Sequence, residues 1–200
     1  MSREAGPRVD PGVERATDVL LVERLRRGDP GAFDEVYEAY RARLFSFLAR
    51  LGCRRDLAED LSEEVWVRLV THARRLAPDT HLLAWLFTVA RNLYWSHCRS
   101  RRVEEAHSAE LASLWTVAVR HPSPFEDAVA TEFECQVERA LASLPPPSRE
   151  VLLLTAEEGL TPSEAATVCG VTPEALRQRL SRARALLAGV LREDTRGPHA

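Results

Sequence analysis

The stretch TPSEAATVCGVTPEALRQRLSRAR, residues 161–184, decides the fold of the C-terminal half of the chain. Thr161 and Thr172 each precede a proline, and this order places a capping side chain before a residue that is favoured in the first helical turn. Glu164 completes a capping box with Thr161, and Gly170 tolerates the positive φ of a tight turn. A short helix, a glycine turn and a second capped helix together predict a helix-turn-helix.

The second helix of this motif has one apolar face and one polar, basic face. Apolar residues recur at helical spacing from Leu176 to Leu187, which predicts that this face is buried. The opposite face then has the spacing that a recognition helix needs to reach base edges in the major groove of DNA. An ordinary helical hairpin with a solvated polar face is the alternative interpretation. The residues of the opposite face are Ala175, Gln178, Arg179 and Arg182.

Helical signals also dominate the start of the chain. Asp18 is predicted to cap a short helix that ends at Gly28. Asp29 followed by Pro30 begins a second helix, which is predicted to end at Gly52. The apolar residues expected to form its buried face are Phe33, Val36, Tyr37, Tyr40, Leu44, Phe47, Leu48 and Leu51.

Two further helices are expected before residue 103. The third covers residues 56–75, where acids crowd the N-terminal half and arginines the C-terminal half, an order that complements the helix dipole. The fourth follows the loop at residues 78–80 and is expected to bury Trp85. Alternation of apolar and polar residues at period two is not sustained over any useful length, so strands are not expected.

The fold class is therefore predicted to be all-α, with two small helical domains joined by a flexible linker, the second domain being a helix-turn-helix. The linker is predicted from composition: residues 103–135 carry one arginine against seven acids, prolines break the pattern, and one short helix is expected near residues 111–119. The predicted units are an N-terminal extension at 1–17, a first domain at 18–102, the linker at 103–135, a second domain at 136–193 and a tail at 194–200.

Composition limits the class of protein. The chain has 200 residues, of which 45% are hydrophobic and 28% charged, as in globular proteins. It has no apolar run long enough for a membrane span and no signal peptide, which predicts a cytoplasmic protein without membrane insertion. The four cysteines are scattered without a C-x-x-C pair, so neither a metal site nor a disulfide framework is expected.

Charge is unevenly distributed although the net charge is only −3. Residues 91–102 hold four arginines and no acid, and residues 172–192 hold five arginines against Glu174 alone. Two short basic helices suit local contacts with phosphates, and two solvated helix faces are the alternative. An enzyme is not expected, because His97 and Cys98 are adjacent on a helix and point in different directions. No cofactor and no catalytic residue is predicted.

Several motifs resemble those of bacterial sigma factors of the extracytoplasmic-function (ECF) group. In the C-terminal half these are Leu144-Pro145, Arg149-Glu150-Val151, Glu158-Gly159-Leu160, Gly170-Val171-Thr172 and Arg179-Leu180-Ser181-Arg182-Ala183-Arg184. In the N-terminal half, residues 58–66 resemble the helix that clamps RNA polymerase. Residues 84–93 resemble the signature that precedes the helix reading the −10 promoter element. The resemblance covers residues 18–190 in the order that the family has.

The resemblance implies three sets of functional residues. The −10 element is read as single-stranded DNA, which suits arginines beside aromatic rings, and the −35 element is read as a duplex by the recognition helix. Ser96 departs from the family, which usually has Asp before His97, and this puts the −10 preference in doubt. The expected sets are Asp60, Glu63, Glu64 and Trp66 for polymerase; Arg91, Asn92, Trp95, Ser96, Arg99, Arg101 and Arg102, with Tyr94, for the −10 element; and Thr172, Ala175, Arg177, Gln178, Arg179 and Arg182 for the −35 element.

The implied partners are core RNA polymerase, promoter DNA and an anti-sigma factor that restrains the two domains. A helix-turn-helix regulator that binds DNA without joining the polymerase is the alternative. That alternative explains residues 136–193 but leaves residues 56–102 without a role. The sequence therefore favours a sigma factor that directs core polymerase to promoters and initiates transcription.

Overall fold

A computed structural model describes residues 11–109 and 132–195 of the chain, with side chains described for residues 17–102 and 132–193. All regular secondary structure in these ranges is helical, as the all-α prediction requires. A 3₁₀ turn follows α3 and a π-helical turn follows α6. The helices are α1 (Pro11–Arg26), α2 (Pro30–Gly52), α3 (Arg55–His72), α4 (Leu82–Ala109), α5 (Glu132–Ser143), α6 (Pro146–Leu152), α7 (Pro162–Cys169) and α8 (Pro173–Thr195).

Helix α2 begins as predicted. The Oδ1 atom of Asp29 accepts a hydrogen bond from the backbone N–H of Gly31 at 2.9 Å, and Pro30 occupies the first turn. Arg24 anchors this cap from α1, since its Nε lies 2.7 Å from Oδ2 of Asp29. The helix ends at Gly52, but the residue with left-handed backbone is Cys53, at φ 52°.

The prediction for Asp18 is wrong. Helix α1 begins at Pro11, so Asp18 lies within it and cannot cap its start. Its carboxylate is 3% exposed and instead accepts a hydrogen bond from the backbone N–H of Leu82 at 2.9 Å, which caps the start of α4. The hydroxyl of Tyr40 lies 3.5 Å from its other oxygen. The capping residue of α4 is thus 64 positions away in sequence, where no local pattern could reveal it.

The apolar faces of α2, α3 and α4 form the core of the N-terminal half. Phe47 and Phe87 are fully buried and meet edge to face, with ring centroids 5.0 Å apart. Tyr37 departs from the predicted face: it is 37% exposed and packs on the edge of Trp66 at 5.0 Å. Trp85 is half-buried against the core, in agreement with its predicted structural role.

The C-terminal half is the predicted helix-turn-helix, with α5 and α6 packed behind it. The capping box of α7 forms: Glu164 accepts from the N–H of Thr161 at 2.9 Å, and Thr161 accepts from the N–H of Glu164 at 3.3 Å. Thr172 caps α8 by accepting from the N–H of Ala175 at 3.2 Å. Leu176, Leu180 and Ala183 are buried, which confirms the apolar face of the second helix.

The predicted linker lies mostly outside the described residues, as does the short helix expected near residues 111–119. At its two ends the described chain is helical, because α4 continues to Ala109 and α5 begins at Glu132. The division into domains at residues 102 and 136 remains a prediction.

The two halves are packed together. Helix α4 lies against α7, and α2 lies against α5 and α6. Arg43 of α2 donates to the carboxylate of Glu158 at 2.9 Å and to its backbone carbonyl at 3.1 Å. Arg50 of α2 pairs with Glu138 at 2.5 Å and with Glu157 at 2.9 Å. These polar contacts join α2 to three sites in the C-terminal half.

The stability of the chain is expected to depend on pH through Glu158, which lies where the two halves meet. Burial raises the pKa of this carboxyl to about 7, against the opposing effect of Arg43. Because the pKa of Glu158 is higher in the native state than in the unfolded chain, the native state binds a proton more tightly. The stabilisation that comes from this proton is complete below about pH 4.5 and is lost as pH rises through 7. Glutamine does not titrate, so Glu158→Gln should remove this pH-dependent loss of stability.

We therefore expect the free energy of unfolding of Glu158→Gln, relative to wild type, to increase by roughly 2 to 3 kcal/mol between pH 4.5 and pH 8. Urea denaturation across that range measures it. A flat difference for Glu158→Gln would contradict the shifted pKa.

Gly170 and Gly189 provide a matched pair of substitutions on the two helices of the motif. Gly170 has φ +64° with open space around it, so alanine there costs only backbone strain, about 1 kcal/mol. Gly189 lies inside α8, also in open space, so alanine should stabilise the chain by roughly 0.5 to 1 kcal/mol. Thermal unfolding of the two variants should shift in opposite directions. A shift of equal sign would contradict the left-handed turn.

Candidate nucleic-acid interface

The recognition helix presents three of its predicted DNA-binding side chains to solvent. Arg177, Gln178 and Arg182 are exposed, and so is Thr172 at the helix start. Arg177 is held by Glu174 one turn earlier, with Nη2 2.6 Å from the carboxylate. Arg182 donates from Nε to the carbonyl of Gln178 at 3.3 Å. The exposed face therefore offers guanidinium and amide groups, the groups that read base edges and phosphates.

Two members of the predicted −35 set are less accessible. Ala175 is half-buried beside the turn, where its small side chain allows close approach of another surface. Arg179 is also half-buried, and its guanidinium interacts electrostatically with Glu150 of α6 and with Cys169 of α7. Arg179 is thus turned partly toward the protein.

The C-terminal part of α4 carries the predicted −10 residues. Asn92, Ser96, Arg99 and Arg102 are exposed, and Arg101 is exposed beside them. A cleft of about 540 Å³ lies between this part of α4 and the start of α6. Four arginines line it together with apolar and aromatic groups, a combination that suits the charged backbone and flat bases of a single strand. Its lining includes Arg54, Arg99, Arg101, Arg102, Leu57, Tyr94, Trp95, Pro146 and Pro147.

Arg91 and Trp95, one helical turn apart on α4, both face a carboxylate of the C-terminal half. Trp95 donates from Nε1 to Oε1 of Glu150 at 2.8 Å, and Arg91 Nε lies 3.0 Å from the same oxygen. Glu150 is 1% exposed. Burial raises the pKa of its carboxyl, while Trp95, Arg91 and Arg179 act in the opposite direction. Two residues predicted to bind DNA, Arg91 and Trp95, thus converge on one buried side chain.

Tyr94 does not fit the role predicted for it. It is 6% exposed, and its ring packs edge to face on Trp95 with centroids 5.2 Å apart. Burial, together with the neighbouring Cys98, raises the pKa of its hydroxyl strongly. A side chain added to Gly52 would lie 3.3 Å from the Tyr94 ring. Gly52 is therefore needed for close packing of Tyr94 and not for the left-handed turn, which Cys53 makes.

The predicted polymerase-binding residues lie along α3. Asp60 and Glu63 are exposed, and Glu64 is half-buried and paired with Arg68 at 2.8 Å. Trp66 is 9% exposed, because its ring packs beneath Tyr37 and Phe33. Trp66 therefore supports the acidic face from inside rather than standing on it. Val67 and Val70, 59% and 62% exposed, extend this face with apolar surface.

Arg149 has a role that its sequence pattern does not predict: it joins the ends of two helices. It is 5% exposed, and its guanidinium donates to carbonyls at the ends of two helices, α5 and α2. At the end of α5 the acceptors are Leu141 at 2.9 Å and Ala142 at 2.6 Å, with Leu144 just beyond the helix at 2.9 Å. In α2 they are Arg50 at 3.2 Å and Leu51 at 2.7 Å. The sequence signal was a charged pair, Arg149-Glu150, placed directly before an apolar run.

Cys53 lies beside Arg149, where the end of α2 meets the C-terminal half. Its Sγ is 2.8 Å from Nη1 of Arg149, and burial raises the pKa of its thiol in spite of that cation. Within the described residues, no group of three or more His, Cys, Asp or Glu side chains is arranged to hold a metal ion. In those same ranges, no helix has both the length and the apolar character needed to cross a bilayer.

Comparison with known families and proteins matches both halves of the chain. The family described as "Sigma-70 region 2" matches residues 36–104, and "Sigma-70, region 4" matches residues 136–187. The chain is 34% identical over 153 residues to the ECF RNA polymerase sigma factor EcfG of Rhodopseudomonas palustris, which covers 76% of this chain and 80% of the relative.

Two solved structures resemble the whole described arrangement. One is CnrH in complex with the cytosolic domain of CnrY, with a TM-score of 0.64 at 25% identity, covering 88% of this chain and 98% of CnrH. The other is the sigma factor RpoE in complex with the anti-sigma factor NepR from Bartonella quintana, with a TM-score of 0.63 at 27% identity, covering 80% of this chain and 96% of RpoE. The helical fold and its two halves are therefore those of sigma factors.

Proposed function

The chain belongs to the ECF group of sigma-70 RNA polymerase sigma factors, and from that membership we propose how its two halves share promoter recognition. As a sigma factor it binds core RNA polymerase and promoter DNA and initiates transcription. Its work is binding and positioning, with no bond made or broken by its own side chains. A helix-turn-helix regulator outside the polymerase is not favoured, because residues 36–104 match a sigma region of their own.

The C-terminal half reads the −35 element as duplex DNA. The observation that carries this proposal is the doubly capped helix-turn-helix, which presents Arg177, Gln178 and Arg182 together on one exposed face of α8. A recognition helix enters the major groove with its N-terminal residues at the base edges. Each good base contact there contributes about 1 to 3 kcal/mol of discrimination. Thr172, Ala175 and Arg179 complete the set.

The N-terminal half reads the −10 element as a single strand. The exposed arginines at the end of α4, Arg99, Arg101 and Arg102, provide the cationic track for its phosphates. Asn92 and Ser96 stand on the same helix as hydrogen-bonding groups, and Trp95 with Arg91 offers a ring and a cation for an unstacked base. The buried Tyr94 acts by positioning Trp95 and has no direct DNA contact.

Helix α3 binds the core polymerase. Asp60, Glu63 and Glu64 form its acidic face, which suits a basic partner surface. The neighbouring exposed valines, Val67 and Val70, supply apolar area to the same interface. Trp66 keeps this face rigid from beneath.

The partner that restrains this sigma factor is an anti-sigma factor, and the complex resides in the cytoplasm with the polymerase. The support is that the two solved structures described above are sigma factors in complex with a second protein, named an anti-sigma factor in the case of NepR. Co-purification of the tagged chain from its native cells tests this. Recovery of polymerase subunits alone would contradict it.

Run-off transcription on fragmented genomic DNA tests the proposed function directly. Purified core polymerase is incubated with and without the chain, and the transcript starts are sequenced. We expect starts that depend on the added chain and that share two upstream motifs. Failure to bind core and the absence of added starts would overturn the sigma function.

Alanine at Arg182 should then weaken use of the upstream motif, while alanine at Arg102 should weaken melting at the downstream motif.

A further inference from the structure

Glu150 lies at the meeting point of the two DNA-reading helices. It stands on α6, is 1% exposed, and its Oε1 receives the indole N–H of Trp95 at 2.8 Å with Arg91 Nε at 3.0 Å. The charge of Arg179, on the recognition helix, acts against the effect of burial on the pKa of the same carboxyl. The carboxylate accepts the indole N–H of Trp95, the donor that a base carbonyl would use, and forms an ion pair with Arg91, the cation that a phosphate would use.

We propose that Glu150 is an internal competitor of promoter DNA: in the free chain it latches Arg91 and Trp95 of α4 against the helix-turn-helix half, so that the −10 surface is closed until polymerase separates the halves. This proposal rests on the proposed function of α4. It requires no second protein, since every contact of the latch is made within one chain.

Other contacts near Glu150 also join the two halves. Arg149, next to Glu150, donates to the carbonyls of Arg50 and Leu51 at the end of α2. Arg43 donates two hydrogen bonds to Glu158, at the end of the π-helical turn that continues α6. Arg149 and Arg43 hold α6 onto α2, and Glu150 then projects from α6 toward α4. The supporting contacts therefore set the position of the carboxylate relative to Arg91 and Trp95.

Closure and DNA binding at Arg91 and Trp95 are mutually exclusive. An oxygen of DNA cannot approach the Trp95 Nε1 while Glu150 Oε1 lies 2.8 Å from it. The apparent affinity for a single strand is then the affinity of the open form multiplied by the fraction of molecules that are open. Neutralising the carboxylate keeps its shape but replaces charge-assisted contacts by weaker neutral ones, so it should raise that fraction.

The test compares Glu150→Gln with wild type in three measurements. Hydroxyl-radical oxidation of Trp95, followed by mass spectrometry of its peptide, reports whether the ring is released. Small-angle scattering reports the radius of gyration. Fluorescence anisotropy with a fluorescein-labelled single strand of mixed sequence, roughly 20 nucleotides long, reports affinity for single-stranded DNA at fixed salt. We expect Trp95 to oxidise several-fold faster, the radius to increase, and the affinity to rise about tenfold.

Glu157→Gln is the matched control. It removes the same charge and also breaks an ion pair between the halves, but its side chain is 52% exposed and pairs with Arg50, whereas Arg91 and Trp95 contact Glu150. It should stay within twofold of wild type in affinity and in oxidation of Trp95. An equal gain in this control would show a general charge effect and would overturn the latch.

The outcomes separate the latch from the function on which it rests. If Glu150→Gln keeps its helical circular dichroism and Trp95 oxidises no faster than in wild type, the latch is wrong and the proposed function stands. If Trp95 is released without a gain in DNA affinity, the latch holds and the −10 assignment of α4 is wrong.

Should the variant fail to fold, the unmodified chain decides: Trp95 must oxidise faster when core polymerase is added without DNA, and an equal rate overturns the latch.

Discussion

Replacing Arg149 by methionine is expected to lower the free energy of unfolding by about 3 to 5 kcal/mol. Its guanidinium is 5% exposed and donates to carbonyls at the ends of α5 and α2. Methionine fills a similar volume but donates nothing, so several buried carbonyls lose their partner at once. Each such loss costs about 1 to 3 kcal/mol, and part is regained by relaxation and water.

The position of these carbonyls increases the expected effect. The last carbonyls of a helix have no partner within the helix, and they form the negative end of its dipole. Arg149 therefore satisfies two helix ends from the two halves with one cation. Its loss should weaken both the fold of the C-terminal half and its attachment to α2.

Urea denaturation followed by circular dichroism measures this effect. Arg139→Met is the matched control, because Arg139 is 65% exposed and its nearest carboxylate, Glu132, lies at 3.7 Å. That control should remain within about 0.5 kcal/mol of wild type. A cost below 1 kcal/mol for Arg149→Met would contradict the double capping role.

Replacing Gln178 by glutamate is expected to reduce transcription from promoters that depend on the upstream motif by roughly tenfold to a hundredfold. Gln178 is exposed on the face of α8 that we assign to the −35 element. The substitution keeps the size of the side chain but removes a donor and places a negative charge against DNA. It also offers Arg182, one turn later, a competing partner within the helix.

Stability should not change, because glutamine and glutamate have similar helix propensities and the side chain is exposed. The chain contains one other glutamine, Gln136 on α5, and Gln136→Glu is therefore a control of identical chemistry outside the exposed face of α8. Run-off transcription with reconstituted holoenzyme should show a loss for Gln178→Glu alone. Equal transcription by both variants would contradict the assignment of α8.

Local patterns were sufficient wherever the deciding interactions are local. The capping box of Thr161 and Glu164, the glycine turn at Gly170 and the cap at Thr172 all involve partners within four residues. The apolar face of α8 and most of that of α2 follow from helical spacing, because burial of one face is the main force that holds a helix in a small domain. These features carry the helix-turn-helix and hence most of the proposed −35 site.

Two single residues show where such patterns fail. Asp18 has the composition of a helix cap, but it caps α4 through Leu82 because α1 and α4 are brought together by packing. Tyr94 has the chemistry of a stacking platform, but its ring is buried against Gly52 and Trp95. Gly52 ends α2 as predicted, but Cys53 makes the left-handed turn and Gly52 allows the close packing of Tyr94. Each outcome depends on neighbours that are distant in sequence.

By itself the sequence determined an all-helical chain, a helix-turn-helix with a basic face, a basic end to α4 and an acidic face on α3, since these depend on spacing along one helix. Only the tertiary structure decided that Arg149 caps α2 and α5 together, and that Arg91 and Trp95 converge on Glu150. The physical reason is that a buried charge must find its partners in space, and the free energy of that pairing depends on burial and distance, which residue order alone does not contain.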